Sequence, residues 1–98
     1  MKLLTQEIAN QLPALRTTEN TPLSEKKAVC KFFTPDSSWT WYAVEGQPEG
    51  DEFVFFGLVD GLEKEWGYFY LSELKAARGP MGLPIERDLH FNGEIPAA

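Results

Sequence analysis

Residues 52–71 read EFVFFGLVDGLEKEWGYFYL, and this stretch decides the fold. Two runs rich in Phe, Val, Trp and Tyr suit pleated surfaces, and they flank Asp60-Gly61, a strong two-residue hairpin signal. Reading outward, two more such runs lie at 28–34 and 39–45, joined by Thr34-Pro35-Asp36-Ser37-Ser38, with Pro35 suited to the second position of a turn. The strands are expected at 28–34, 39–45, 52–59 and 64–71, with Glu45 to Asp51 as a longer hairpin loop. Short connections make successive strands antiparallel, so 28–71 reads as a meander.

Both ends of the chain add less regular elements. Thr5 is an N-cap for a helix over 5–12, with Ile8 and Leu12 on one face and Pro13 as its stop. Residues 16–27 are polar and read as a loop. Ser72 reads as the N-cap of a helix over 72–78, ended by Gly79. Residues 79–84 are irregular, 85–91 alternate as a last strand, and 92–98 form a loose tail. The fold class is therefore α+β: a twisted antiparallel four- to five-stranded meander sheet, partly curled, with two short flanking helices, all in one domain over 1–98.

Composition excludes several functions. In 98 residues, fifteen acids against nine bases give a net charge of −6, which argues against a default nucleic-acid binder. One cysteine excludes an intramolecular disulfide and a multi-thiolate zinc site. There is no membrane-length apolar run and no signal peptide, so the expectation is a reduced, cytoplasmic, soluble protein. Twelve of the thirteen aromatics lie between Phe32 and Tyr70, and the strands carry apolar residues on both faces. A sheet with one wet face alternates apolar and polar. This sheet must therefore curl, be covered on both sides, or leave an aromatic face for a partner.

The order of segments resembles a known family. Phe32-Phe33-Thr34-Pro35 followed by Trp39-x-Trp41-Tyr42, and Gly82-Leu83-Pro84-Ile85-Glu86-Arg87-Asp88-Leu89, are the most specific pieces, and the likeness runs from Met1 to about Phe91. It is to the bacterial family called domain of unknown function 2958. The resemblance implies a compact accessory protein met on plasmids, integrative elements and phage-related islands. Phage defence, counter-defence and element maintenance are the roles open to such a protein. The resemblance implies no reaction.

Candidate functional residues fall into four groups. Trp39, Trp41 and Tyr68 lead an aromatic set that would stack on a base, a sugar or a partner side chain, or else fill the core. Glu86, Asp88 and His90 would share one face of a strand, but consecutive same-face ligands converge poorly on one ion, so no metal is assigned. Arg87 falls on the apolar face, where it needs a carboxylate such as Glu73 or Glu65, or a bound anion shared with Arg78. Acids gather at two hairpin ends, around 45–52 and 60–65, and would meet a basic partner or guard exposed edges. Cys30 sits among apolar neighbours as an inert thiol, and nothing brings Ser72, His90 and Asp88 together as a triad.

The reading leans away from an enzyme, with no catalytic residue and no cofactor assigned. The expected function is a non-enzymatic interaction module that binds a host or element protein through the Trp/Tyr face and the acidic loops, with Arg87 as a further anchor; a homodimer is also open. The alternative is a nucleotide or nucleic-acid binder that sets Arg78, Arg87 and Lys31 against phosphates.

Overall fold

In the computed structural model, which describes residues 1–96, five strands form one open antiparallel sheet. The strands are β1 (Cys30–Phe33), β2 (Thr40–Glu49), β3 (Glu52–Asp60), β4 (Lys64–Tyr70) and β5 (Glu86–Arg87), in the spatial order β4-β3-β2-β1-β5. Two helices, α1 (Gln6–Gln11) and α2 (Leu71–Ala76), flank the sheet, which does not close. No helix among the described residues is long and apolar enough to cross a membrane.

Local chemistry accounts for the helix ends. The Thr5 hydroxyl accepts from the Ile8 N–H at 3.2 Å, and Pro13 forces Leu12 into extended backbone, which ends α1. The second helix starts at Leu71, with Tyr70 as its N-cap in place of the expected Ser72. Glu73 reaches back to the Tyr70 N–H at 2.9 Å and caps it, while the Ser72 hydroxyl turns to Glu52.

The largest departure from the expected layout lies at 45–51. There is no long loop there. β2 runs on to Glu49, pairs with β3 to the end, and turns at Gly50–Asp51. Gly46 and Pro48 suggest a loop, but β1 pairs with β2 only as far as Ala43. Beyond it β2 is an edge, where proline is tolerated.

The same strand carries a β-bulge. Ala43 stands opposite Gly57 and Glu45 opposite Phe56, so Val44 is an inserted residue. Strict alternation would place Glu45 beside Trp41 and Ala43. The bulge moves Glu45 to the other face and puts Gly46 in its place. There a Cβ on Gly46 would lie 2.8 Å from the Phe53 ring and 3.1 Å from Leu12, so glycine fits and a larger residue does not.

Each face is covered, by different means. One face is a dry core of Phe32, Phe55 and Phe69 under Leu3, Leu12, Leu74 and Ile85. Phe55 meets Phe32 edge-on at 5.6 Å and stacks on Phe69 at 5.2 Å. The other face packs Tyr42, Val44 and Leu58 against Ala28, flanked by Trp66, Phe91 and Ile95. Its cover is irregular chain: the segment before β1 and the C-terminal tail. The expected loose tail is therefore tied down over 92–96, by the Ala28 N–H on the Gly93 carbonyl at 3.1 Å and by Lys27 on Glu94 at 2.8 Å. Residues 97 and 98 of that expected tail lie outside the described residues. The expected last strand over 85–91 shortens to Glu86–Arg87, because a turn follows at once.

Candidate functional site

The aromatic set divides between the two faces. Residues directly opposite in an antiparallel ladder share a face. Trp41 stands opposite Val59 on the helix-covered face, whereas Tyr68 stands opposite Phe56 on the other. Trp39 stacks on Trp41 at 6.0 Å, at the end of the sheet. Tyr68 and Trp66 both meet Phe56, at 5.2 and 6.0 Å. Trp39, Trp41 and Tyr68 thus belong to two separate surfaces.

Arg78 and Arg87 satisfy backbone carbonyls. Arg78 donates to the Lys75 and Ala77 carbonyls at 2.9 and 2.7 Å, closing the C-terminal end of α2. Arg87, opposite Phe32 in the sheet, donates to the Lys2 and Leu3 carbonyls, the latter at 2.8 Å. Its partner is therefore the N-terminal strap and not Glu73 or Glu65. A half-buried guanidinium can have its donors satisfied by backbone carbonyls, and sequence does not show where a distant carbonyl will lie.

Glu86, Asp88 and His90 border one surface cavity, together with Lys31 and Arg87, but they are not placed to hold one ion among the described residues. The strand ends at Arg87, so His90 leaves its register and is exposed. Asp88 pairs with Lys31 at 3.8 Å and accepts from the His90 backbone N–H at 2.9 Å. Lys31 also lies over the Tyr42 ring at 5.7 Å. Among the described residues no group of three or more His, Cys, Asp and Glu side chains could hold a metal ion. Burial pushes the Cys30 thiol up to about 12, a weak nucleophile at neutral pH.

Two surfaces remain as candidates. The first is the end of the sheet where three loops meet. Trp39 lies over Gly61, so closely that a Cβ there would be 2.2 Å from the indole. Asp36, in the same loop as Trp39, accepts from the Met81 N–H at 2.7 Å. The β1–β2 turn thus holds both the β3–β4 turn and the loop after α2. At this end Leu62 is 93% and Met81 81% exposed, and Trp39 is 38% exposed.

The second is a cleft of about 350 Å³ on the face opposite the helices, floored by Phe56 and Tyr68 and walled by the polar segment 16–26. Its foundation is Glu45, which the sequence reading groups with the solvated acids around 45–52 but which is only 3% exposed. One Glu45 oxygen accepts from the Arg16 N–H at 2.8 Å; the other accepts from the Thr18 N–H at 3.0 Å and from the Thr18 hydroxyl. The buried Lys26 ammonium donates to the Thr18 carbonyl and hydroxyl at 2.5 and 2.9 Å. Gln47, two residues along β2, accepts from the Leu15 N–H at 2.9 Å. Burial alone would raise the Glu45 pKa. The Thr18 hydroxyl, the two backbone N–H groups and the Lys26 charge outweigh it, so the carboxyl stays below its ordinary range. With three donors on its two oxygens, Glu45 fastens the loop to the sheet. The signal in the sequence was slight: one acid inside an apolar strand, beside a glycine.

No curated protein and no solved structure matches the chain. The sequence model of the family described as "Protein of unknown function (DUF2958)" matches residues 3–98, essentially the whole chain, and the protein belongs to that family.

Proposed function

We propose that the protein is a non-enzymatic interaction module, of the accessory kind that mobile elements encode, and that it docks a basic protein partner through the three-loop end of its sheet. The observation that carries this reading is the exposure of Leu62 and Met81, with Trp39 beside them, on loops that are fastened to one another. Large apolar side chains held on a rigid frame are what a partner buries most profitably, and aromatic residues concentrate binding energy. Asp60, Glu63 and Glu65 flank the same end, so a partner carrying Lys and Arg would be steered towards it. Arg78 and Arg87 are already committed to carbonyls, which weakens the reading in which they grip phosphates.

The test places a photo-crosslinking residue at Leu62, at Met81, and at Asp51 on the opposite end, in the native host. The expected result is one basic protein joined at 62 and 81 but not at 51. With that protein purified, a Leu62→Asp, Met81→Asp double variant should bind at least about tenfold more weakly at unchanged melting temperature. Adducts spread equally over all three positions, adducts with nucleic acid, or adducts only between copies of this chain would each overturn the proposal.

A further inference from the structure

The cleft over Phe56 and Tyr68 lies on the opposite face from Trp39 and Trp41, and we infer that it is a binding site for a small planar aromatic ligand bearing one anionic group. Its volume of about 350 Å³ falls at the small end of the range for small-molecule sites, about 300–1,000 Å³, and suits a single ring system. Tyr68 is 57% exposed although it stands within the concave floor, so one face of its ring has no protein neighbour stacked on it. A flat ligand would fill that position.

The charges of the cleft divide into a closed set and an open set. Glu45 has both oxygens occupied, and its charge balances the buried Lys26. An ammonium carries three N–H donors, and Thr18 takes two of them, which leaves one. The Arg16 guanidinium makes no hydrogen bond or ion pair among the described residues, although its backbone N–H is held by Glu45. Arg16 is also the one non-glycine residue with a left-handed backbone, φ 72°, among those described. Glu45 pins it in that conformation at the mouth of the cleft. The anionic group of the ligand would take the remaining Lys26 donor and the Arg16 guanidinium, a planar fork suited to a carboxylate or phosphate. Glu19, also in the wall, limits the negative charge that the site accepts.

The experiment titrates the full-length protein with indole-3-acetate and, separately, with adenosine monophosphate, following backbone and indole N–H signals by NMR. The neutral analogues indole-3-ethanol and adenosine serve as controls. Trp66 stacks on Phe56 at the cleft floor, so its indole N–H should move on binding, together with backbone signals in 16–26. Trp39 and Trp41 should not move. The expected dissociation constant is on the order of 0.1–1 mM for so small a probe. Arg16→Gly removes the guanidinium and suits the left-handed backbone, and Tyr68→Ser alters an exposed ring, so both should fold. Each should weaken binding by about tenfold, whereas Trp39→Phe should not. Preference for the carboxylate or for the phosphate probe would identify the anionic group. No shift up to about 10 mM, equal binding of the neutral analogues, or undiminished binding by both variants would overturn the inference.

Discussion

On one face of the sheet, Phe32, Phe55 and Phe69 meet Leu3, Leu12, Leu74 and Ile85, and nearly all the cohesion is apolar. On the other, a polar segment lies over Phe56 and Tyr68 because Glu45 and Gln47 capture its backbone N–H groups. The first face needs complementary shape. The second needs a small number of groups in fixed positions, and it leaves space between them. A single inserted residue, Val44, separates these solutions, because the bulge decides which face receives the carboxylate. The core and the cleft are therefore products of one strand.

This contrast predicts unequal sensitivity to truncation. Phe55 is fully buried and touches Phe32, Phe53 and Phe69. Phe55→Ala should lose about 3–5 kcal/mol, a large share of the total stability of so small a domain. Its neighbour Phe56 points the other way and is half-buried. Phe56→Ala should lose well under half as much. Urea unfolding of the two variants measures the difference; equal losses would mean that the two faces are packed alike.

The next largest effect concerns Glu45. Glu45→Gln replaces one acceptor oxygen by an NH₂ group, which must then face either the Arg16 or the Thr18 N–H. A donor set against a donor, with Lys26 left short of a counter-charge, should destabilise by about 2–3 kcal/mol. The pH dependence carries a separate signature. The folded-state pKa of Glu45 lies below its ordinary 4.5, so the carboxylate's contribution is fully present above that value. It is lost as pH falls through the folded pKa, where the native state must take up the proton. Wild-type stability should therefore decline on acidification below about pH 4.5 more steeply than that of Glu45→Gln. Parallel acid limbs, measured by urea titration at several pH values, would separate Glu45 from the acid sensitivity of the fold.

How much of this was legible in the sequence follows from the range of the interactions involved. The Thr5 cap and the Pro13 stop are local, and each is where its residues indicate; the hairpin after β3 is local too, but its loop is the three residues 61–63, since Asp60 pairs with Lys64. The five-stranded antiparallel sheet with two short helices follows from such local signals. Face assignments within β3 and β4 were also readable, since alternation is local, but in β2 they hold only as far as the bulge at Val44. The division of Trp41 from Tyr68 depends on register between strands, which alternation does not supply. β2 from Glu45 onward reads as a loop because Gly46 and Pro48 disfavour strands in isolation, and only the ladder to β3 holds them extended. The acceptors of Arg78 and Arg87 are backbone carbonyls, and those of Arg87 are more than eighty residues away in sequence. Glu45 stood out least of all, because its role depends on the bulge, on Thr18 and on Lys26 together.

A smaller effect, of opposite sign, tests whether the cleft wall is under strain. Arg16 holds φ 72°, a conformation disfavoured for a residue with a Cβ by about 1 kcal/mol or more. Arg16→Gly removes that penalty and keeps the backbone N–H that Glu45 requires. The greater freedom of glycine in the unfolded chain offsets part of the gain. The net result should be a stabilisation of up to about 1 kcal/mol, read as a higher urea midpoint at an unchanged slope. A loss would mean that the Arg16 side chain contributes packing across the cleft that its exposure does not suggest.

The smallest effect should come from the three-loop end. Leu62 is 93% exposed, so in the isolated protein it touches almost nothing that folding could use. Leu62→Asp should leave stability within about 0.5 kcal/mol of wild type. The value of this prediction lies in its pairing with the crosslinking experiment. A residue that stabilises nothing within its own chain, yet is a large aliphatic side chain held at a turn, adds an exposed apolar surface that folding does not require. If Leu62→Asp proved strongly destabilising, Leu62 would be packed in solution, against a second copy or another part of the chain, and the end of the sheet would not be open to a partner. If it is neutral for folding and harmful for capture, the separation of stability from binding locates function at that end.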